Sequence, residues 1–326
     1  MKKIAFKVAF SEKIGSGHIY RCARLSESLK KKGVITYFLL NKKIGYKLSF
    51  LTKSFSFCIV KKNFEDEKNF LESKKIKNLL IDDPKVNFKK QKKYKLSIDK
   101  LFIYQDLPAK NCADILINHN YIKESLNKYK NLSYKKCKFY LGPKYYLFNK
   151  FKSFNKKENL TTIFLGGSTS IKLLDNILKI ISYNTIKKSK IIVFNGIFKK
   201  NMKFLKQKYS KLQIYFRSQN KQQIFFETIS KSKIFFSSCG STILESIYLK
   251  TPTIAFIRAK NQKNNCLNLS KDKLIYYSKT EFTTNNFINT ILNNKKYYKR
   301  LVKRLNNYKK KNFKNKLSIK IFNQIK

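Results

Sequence analysis

Short apolar runs that alternate with helical patterns constrain the fold of this 326-residue chain more than any other feature. Continuous apolar runs separated by helices are typical of parallel strands in a sheet that helices cover on both faces. The sequence therefore predicts an α/β fold with parallel sheets. The strand-like runs lie at 4–10, 36–40, 55–60, 78–81, 101–104, 115–117, 139–141, 162–165, 190–194, 212–216, 233–236 and 253–257.

These runs form two series, separated by a polar, lysine-rich stretch at 149–159. A chain of this length suits two domains that can each bury a core. We therefore predict two similarly wound domains, 1–150 and 151–326, with a cleft between them. From about residue 293, Lys, Arg, Tyr and Leu recur at helical spacing, which predicts a solvated terminal helix.

The formal net charge of +55 is the most unusual feature of the composition. Such a charge can indicate a nucleic-acid or anionic-membrane partner. Arginine, which suits planar phosphate or base recognition, is present only at positions 21, 24, 217, 258, 300 and 304. The lysines are spread along the chain beside abundant Asn, Ile, Phe and Tyr, as an AT-rich genome would encode. We expect nonspecific attraction of polyanions and no specific nucleic-acid partner.

The cysteines at 22, 58, 112, 137, 239 and 266 show neither a C-x-x-C pair nor metal-ligand spacing. They predict reduced thiols, with no disulfide framework and no metal site. Lys7 interrupts the apolar N-terminal run, which favours a buried strand over a signal peptide. No apolar run approaches the roughly 20 residues that cross a bilayer. We expect a soluble, cytoplasmic protein without a membrane span.

One of the two histidines lies on a glycine loop. The segment Ile14-Gly15-Ser16-Gly17-His18 joins the run 4–10 to a helical pattern over 19–32, and Arg21 follows one turn later. A helix N-terminus after such a loop favours anionic ligands. The pattern G-x-G-H is weak by itself, and a satisfied structural histidine is the alternative to a catalytic role for His18.

Two glycine-bearing turns follow predicted strands in the second half. They are Gly166-Gly167-Ser168 and Ser238-Cys239-Gly240-Ser241-Thr242, and the second opens a predicted helix at 243–249. This turn can present free N–H groups to a diphosphate, although Ser241 or Thr242 could simply cap the helix. Glu245 could accept hydrogen bonds from a ribose diol or complete a capping box.

Five segments, in order, resemble the signatures of one family. The segment 14–21 resembles I-G-x-G-H-x-x-R, 112–120 resembles C-D-x-L-L-N-x-N, and 141–147 resembles L-G-P-x-Y-x-L. The glycine turn at 164–168, and 238–245 followed by Asn261-Gln262, complete the series. The family comprises the UDP-sugar hydrolases of pseudaminic acid biosynthesis and their spore-coat polysaccharide relatives, and the resemblance covers roughly residues 4–270.

The resemblance implies a GT-B-like fold, in which two Rossmann-like domains with parallel sheets face each other across a cleft. It implies metal-independent hydrolysis of UDP-2,4-diacetamido-2,4,6-trideoxy-β-L-altropyranose to UDP and the free sugar, by a monomer without a cofactor. His18 matches the histidine that activates water for attack at the anomeric carbon, and Asn261 matches an asparagine at the sugar. The predicted substrate-binding residues are Gly15, Ser16, Gly17, Arg21, Asn120, Gly167, Ser168, Gly240, Ser241, Thr242, Glu245 and Gln262.

The chain departs from this family at two positions. Ala9 stands where the family usually has an aspartate, and Pro84 stands where it often has a tyrosine that contacts the sugar. Tyr104 and Tyr121 could replace that hydroxyl, although ordinary packing is the alternative for both. A glycosyltransferase that moves a UDP-linked sugar to an acceptor, or an inactive polyanion-binding homologue, is the alternative function.

Two further polar groups attract attention in the first half. Asp82 and Asp83 form a carboxylate pair near a predicted strand end, but the residues around them are lysines, which argues against a metal ion. His119 lies in the segment Asn118-His119-Asn120, and we expect it to be structural or at most to line the cleft.

Overall fold

The computed structural model describes residues 1–11, 16–40, 56–60, 63–121, 126–148, 154, 156–167, 170–196, 202–219 and 222–325. The chain divides into two compact units. The first is Met1–Asn149 together with Lys314–Lys326, and the second is Lys150–Phe313.

The first unit is built on one parallel sheet, in which the described residues contribute seven strands in the order β3-β2-β1-β4-β5-β6-β7. This order reverses direction between β1 and β4, as in a doubly wound Rossmann-like sheet. The strands are β1 Lys3–Val8, β2 Ile35–Leu40, β3 Phe57–Val60, β4 Asn78–Asp82, β5 Lys100–Tyr104, β6 Ile115–Asn118 and β7 Lys138–Leu141. The helices are α1 Gly17–Lys30, α2 Phe64–Ser73, α3 Phe88–Lys95, α4 Leu126–Leu132 and, from the end of the chain, α12 Leu317–Phe322.

The second unit repeats this winding. Its described strands form a parallel sheet of six, ordered β10-β9-β8-β11-β12-β13, and the order reverses between β8 and β11. The strands are β8 Glu158–Phe164, β9 Lys190–Asn195, β10 Ile214–Ser218, β11 Ser232–Ser238, β12 Thr253–Phe256 and β13 Tyr276–Tyr277. The helices are α5 Ile171–Ser182, α6 Lys203–Lys208, α7 Gln222–Lys231, α8 Thr242–Tyr248, α9 Lys263–Lys271, α10 Glu281–Asn293 and α11 Lys295–Asn312.

The predicted α/β class and the predicted strands are confirmed, with ends that differ by a few residues. The central strands are apolar on both faces because helices cover both sides of each sheet. All five residues of β4 are buried, and Phe6 of β1 stacks on Phe38 of β2 with ring centroids 4.8 Å apart. The strand β13, of only two residues, was not among the predicted strands.

The end of the chain differs from the sequence-based division, which kept residues 151–326 together. The segment from Lys314 belongs to the first unit, where Leu317 and Ile321 of α12 are fully buried. Lys2 adds polar contacts, because its Nζ donates to the carbonyl oxygens of Phe322 and Ile325 at 3.3 and 2.5 Å. The helix α11 that precedes this segment is amphipathic, since it buries Leu301 and Leu305.

None of the helices in the described ranges combines the length and apolar character that a bilayer crossing needs.

Candidate functional site

The first cluster of polar groups lies where the winding of the first sheet reverses, the position at which doubly wound sheets bind ligands. His18 is on the first turn of α1, directly after β1, and Asp82 is the last residue of the neighbouring strand β4. His18 Nδ1 lies 2.6 Å from Asp82 Oδ1. The fold therefore joins two residues that are separated in the sequence by the strands β2 and β3 and the helix α2.

The His18–Asp82 contact defines which ring nitrogen carries the proton. An ionised carboxylate can only accept, so Nδ1 of His18 must be the donor. The other nitrogen, Nε2, is then unprotonated in the neutral ring. A histidine oriented in this way by a carboxylate is the usual arrangement of a general base.

Arg21 also binds the carboxylate of Asp82. Its Nε and Nη2 donate to the two oxygens of Asp82 at 2.6 and 2.5 Å, and its Nη1 donates to Asp106 Oδ1 at 2.8 Å. His18 and Arg21 can both reach Asp82 because residues three apart share one face of a helix. The ring of Tyr104 packs against the guanidinium, with 4.5 Å between Arg21 Cζ and the ring centroid.

These contacts keep both carboxyl groups ionised. Burial by itself would raise the pKa of Asp82, but the charge of Arg21 and the hydrogen bonds from Arg21 and His18 outweigh it and hold the pKa well below its usual range. The pKa of Asp106 is lowered in the same way, since the Arg21 charge outweighs burial. Asp82 is 1% exposed, so this negative charge is stabilised by its partners and not by water.

His119 and Asn120 follow β6 and lie next to this cluster. The imidazole of His119 makes edge-to-face contacts with Tyr104 and Tyr146, at centroid distances of 6.0 and 4.9 Å. Burial lowers the pKa of His119 to about 3, so the ring is neutral and acts as a packing element. Asn120 Nδ2 lies 3.5 Å from Asp106 Oδ1, which brings this predicted binding residue to the His18 side of the sheet.

The second cluster lies at the reversal point of the second sheet. Gly166 follows β8 with a φ of +93°, a conformation that favours glycine. A Cβ placed on Gly166 would lie 3.4 Å from Ser238 Oγ and 3.9 Å from Arg258 Nη1. Arg258 is an exposed residue, but its Nη1 donates to the carbonyl oxygen of Leu165, and partial burial of the guanidinium lowers its pKa. A cation and two glycine turns therefore share this edge of the sheet.

The turn after β11 and the loop after β12 also meet. A Cβ on Gly240 would lie 3.8 Å from Gln262 Nε2, and Gln262 Oε1 accepts a hydrogen bond of 3.0 Å from the backbone N–H of Arg258. Ser241 occupies the N-cap of α8 but makes no side-chain capping hydrogen bond, so the simple capping interpretation of this turn is not supported. Glu245 is buried on the first turn of α8.

Gly196, directly after β9, packs against the backbone of the glycine turn at Gly166 and Gly167. A Cβ at this position would overlap the carbonyl oxygens of Gly166 and Gly167. The backbone of this turn can therefore occupy its position only because residue 196 has no side chain.

A disulfide connects the glycine turn after β11 to α9, and the sequence-based prediction of reduced thiols without a disulfide is wrong here. Cys239 of the glycine turn is bonded to Cys266 of α9, with 5.5 Å between the Cα atoms. The pair escaped sequence analysis because 27 residues separate its members and no spacing pattern marks them.

The predicted site residues thus lie in two groups, one in each unit. His18, Arg21 and Asn120 come together in the first, with Ser16 as N-cap and Gly17 as first residue of α1. Gly167, Gly240, Ser241, Thr242, Glu245, Asn261 and Gln262 belong to the turns and helices at the reversal point of the second. Gly15 and Ser168 lie outside the described residues.

Sequence analysis missed the roles of Asp82, Asp106 and Arg258. Asp82 was considered only with Asp83, as a pair of possible metal ligands that the surrounding lysines argue against. Asp106 and Arg258 were given no role. A usable signal existed, because each stands at or just beyond the carboxyl end of a predicted strand. Asp82 ends β4 at the reversal point of the first sheet, and Asp106 and Arg258 follow β5 and β12, each one strand away from a reversal point. Within the described residues, no group of His, Cys, Asp and Glu has the arrangement of a metal site.

Comparison with known proteins extends the fold assignment. No protein-family model matches the sequence, and no curated protein matches it either. Among solved structures, MurG of Acinetobacter baumannii is similar over 100% of this chain and 99% of its own, with 10% identity and a TM-score of 0.68. Phytolacca americana UGT2 is similar over 99% of both chains, with 11% identity and a TM-score of 0.68.

A third structure with the same fold is a putative UDP-N-acetylglucosamine 2-epimerase from Listeria monocytogenes. It has 9% identity and a TM-score of 0.61, over 98% of this chain and 94% of its own. Matches that extend over the whole chain show that the fold is of the GT-B type, with two Rossmann-like domains. At this identity the similarity establishes the fold alone.

Proposed function

We propose that the chain is a UDP-sugar-dependent glycosyltransferase in which His18 is the general base. The observation that carries this proposal is the 2.6 Å contact between His18 Nδ1 and Asp82 Oδ1 at the reversal point of the first sheet. This contact orients an unprotonated Nε2, which can accept a proton from an attacking hydroxyl group.

The bond changes are those of a single displacement. His18 takes the proton of an acceptor hydroxyl, whose oxygen forms a bond to the anomeric carbon of the sugar. The bond from that carbon to the diphosphate oxygen breaks, and UDP leaves with the electron pair. Asp82 is a positioning residue, because it orients the imidazole and stabilises the imidazolium that forms. A positioned base of this kind contributes on the order of 10²–10⁴ in rate.

The second unit offers the features that a departing diphosphate needs. The glycine turns after β8 and β11 bring backbone N–H groups to the sheet edge without side-chain obstruction, and Arg258 supplies a cation beside them. We assign the nucleotide to this side, with Glu245 at the ribose and Asn261 and Gln262 at the sugar. The solved Phytolacca americana UGT2 contains UDP-2-fluoro-glucose, which supports a UDP-sugar as the donor here.

Hydrolysis is the second candidate, with water in place of the acceptor hydroxyl. It is favoured by the grouping of His18, Arg21 and Asn120, which were matched to the pseudaminic acid hydrolases at the sequence level. In that case the substrate is UDP-2,4-diacetamido-2,4,6-trideoxy-β-L-altropyranose and the products are UDP and the free sugar. Neither candidate reaction requires a metal ion, because Arg258 and the backbone N–H groups can stabilise the leaving diphosphate.

Both candidate reactions, glycosyl transfer and hydrolysis, release UDP, so one assay can detect either. We would incubate the protein with UDP-N-acetylglucosamine, UDP-glucose or the diacetamido sugar donor in ¹⁸O-labelled water, with and without a panel of hydroxyl acceptors. Transfer predicts UDP release that depends on the acceptor and a product without ¹⁸O. Hydrolysis predicts release without an acceptor and one ¹⁸O atom in the sugar.

The matched variants are His18→Ala and Glu27→Ala. Both residues are on α1, but Glu27 is exposed and its ion pair within the described residues is with Lys31, so its loss should change neither activity nor folding. His18→Ala should lower UDP release by at least about 10². Equal rates for wild type and His18→Ala, with any donor, would overturn the assignment of the base.

A further inference from the structure

A cavity of about 950 Å³ opens in the first unit, away from the His18 cluster. Its lining includes Lys100, Ile115 and Lys138, which are the first residues of β5, β6 and β7. The His18–Asp82 contact lies at the opposite, carboxyl edge of the same sheet. Strands of four to five residues separate the two edges by about 15 Å, so the cavity is distinct from the proposed active site.

The lining of the cavity is strongly cationic. Its only carboxylate among the described lining residues is Asp114, which is already held by Lys95 and by the backbone N–H of Leu101 at 2.7 Å. The lysines that line it, hereafter the lysine pocket, are Lys92, Lys95, Lys100, Lys110, Lys136 and Lys138. Cations gathered around one cavity repel each other, and a bound polyanion would relieve that repulsion.

The chemistry of the lining favours phosphate over carboxylate. Arginine, which binds planar carboxylates through two parallel hydrogen bonds, is absent from the described lining, whereas lysine binds phosphate oxygens as a compact point charge. The lining also contains an aromatic ring, Phe88, with the ammonium groups of Lys92 and Lys110 each 4.9 Å from its centroid. The lining therefore combines cationic groups with an aromatic ring that packs against two of them.

The size of the cavity limits the ligand. About 950 Å³ lies at the upper end of ordinary small-molecule sites and exceeds what a single phosphate fills. The cations surround a concavity, whereas a duplex or a membrane surface would be matched by an extended face. We propose that the lysine pocket binds a small molecule that carries two or more phosphate groups, of at most nucleoside triphosphate size.

Binding of inorganic tripolyphosphate, measured by calorimetry near physiological salt, tests the proposal. The variant Lys92→Gln/Lys136→Gln removes two exposed cations of the pocket. Its matched control, Lys90→Gln/Lys135→Gln, removes two exposed lysines of the same helix and loop that do not line the cavity. We expect the pocket variant to bind at least about tenfold more weakly and the control to bind within about twofold of wild type.

A second readout localises the ligand. Cys112 lines the cavity with a half-buried thiol, whereas the free thiols of Cys22 and Cys137 are buried. Tripolyphosphate should therefore slow alkylation of Cys112 by N-ethylmaleimide, as followed by peptide mass spectrometry. The protection should disappear in the pocket variant and persist in the control.

Further arms distinguish the possible ligands. Pyrophosphate and tripolyphosphate test the effect of the number of phosphate groups, and adenosine triphosphate tests whether a base contributes to binding. A single-stranded oligonucleotide reports nonspecific attraction to the +55 surface. The proposal is wrong if the pocket variant and the control variant lose affinity equally. It is also wrong if Cys112 is not protected, or if none of the phosphate compounds binds.

The outcome does not depend on the proposed glycosyl transfer. UDP release in the pocket variant should equal that of wild type, because none of its changes touches the His18 cluster or the glycine turns. A failure of the active-site assignment would therefore leave the binding and alkylation results interpretable.

Discussion

His18 Nδ1 and Asp82 Oδ1 lie 2.6 Å apart although 64 residues separate them in the chain. The contact exists because β1 and β4 are neighbours in the sheet and both end at the edge where α1 begins. Arg21 reinforces it by donating to both oxygens of Asp82. The arrangement fixes the orientation of the imidazole before any ligand binds.

Replacement of Asp82 by asparagine should uncouple this pair. The amide is neutral, so it neither secures the proton on His18 Nδ1 nor stabilises an imidazolium, and it leaves Arg21 with one partner fewer. We expect UDP release by Asp82→Asn to fall by about 10²–10⁴ with a small change in KM.

Asp83→Asn is the matched control. The adjacent carboxylate accepts a local hydrogen bond of 2.9 Å from the N–H of Lys85 and makes no described contact with His18 or Arg21. Rates should stay within a few-fold of wild type, with KM and kcat measured for both variants by coupled UDP detection. Similar losses in the two variants would show that Asp82 has no special role.

His119 should remain neutral across the physiological range. Burial lowers its pKa to about 3, and its ring packs against Tyr104 and Tyr146. The chain has two histidines, so the imidazole signals of wild type and His18→Ala can be assigned by comparison in proton NMR. The His119 signals should not shift between pH 5 and 8, and a titration midpoint above pH 5 would contradict the burial argument.

The lowered pKa of His119 should also make the stability of the fold depend on pH. The pKa of His119 is lower in the folded chain than the value of about 6.5 in an unfolded one, so the unfolded state binds the proton first as the pH falls. The free energy of unfolding should therefore decrease as the pH falls from about 6.5 towards 3. Denaturant titrations of wild type and His119→Gln should show a weaker acid dependence in the variant.

Lys157 should make stability depend on pH in the alkaline range. Burial, with a smaller contribution from the charge of Lys250, lowers the pKa of Lys157 to about 7, and Nζ donates to Ser230 and Thr251. Between this value and the unfolded value of about 10.4, the unfolded state binds more protons. Lys157 should therefore make the free energy of unfolding rise with pH over that window, by at most about 1.4 kcal/mol per unit.

The contribution of Lys157 to the pH dependence of the free energy of unfolding is the difference between wild type and a variant that lacks the amine. Lys157→Met should remove it, whereas Lys156→Met, at the exposed neighbouring position, should keep the wild-type pH dependence. Urea unfolding at pH 7, 8, 9 and 10 provides the comparison. Parallel curves for Lys157→Met and wild type would show that the amine titrates normally in the folded protein.

The disulfide should stabilise the second unit. Closing a loop with a sequence separation of 27 removes entropy from the unfolded chain that corresponds to about 3–4 kcal/mol. Reduction with dithiothreitol, or the double change Cys239→Ser/Cys266→Ser, should lower the free energy of unfolding by up to this amount. Because Cys239 lies in the glycine turn, reduction should also weaken UDP binding.

Cys112→Ser is the control for the disulfide measurement, since its thiol is free. Guanidinium unfolding of this variant should remain sensitive to reductant, as in wild type. An unfolding midpoint that does not respond to reductant in wild type would show that the bond is not formed in solution.

Gly196→Ala should disturb the nucleotide side without removing any polar group. The added methyl group would overlap the carbonyl oxygens of Gly166 and Gly167. We expect weaker binding of UDP, measured by calorimetry, and a loss of stability of about 1–3 kcal/mol from overpacking. Gly33→Ala, at a helix end with a φ of +79°, serves as a control that should lower stability but leave UDP affinity unchanged.

The strands and the two-series organisation could be predicted because their signals are local. Apolar runs such as 78–81 identify β4 within one residue, since a strand buried on both faces must be continuously apolar. The glycine loop before His18 was equally visible. These features depend on neighbours in the sequence and on the backbone preferences of a few residue types.

The chain as written thus determined the approximate positions of most strands and turns, and that one histidine stands at a helix start. Only the tertiary structure decided that Asp82 meets His18, that Arg258 reaches Gly166, that Cys239 bonds Cys266, and that α12 returns to the first unit. Each of these depends on the order in which strands pair and on which helices cover them. That order is set by burial summed over a whole domain, so no short stretch of sequence carries it.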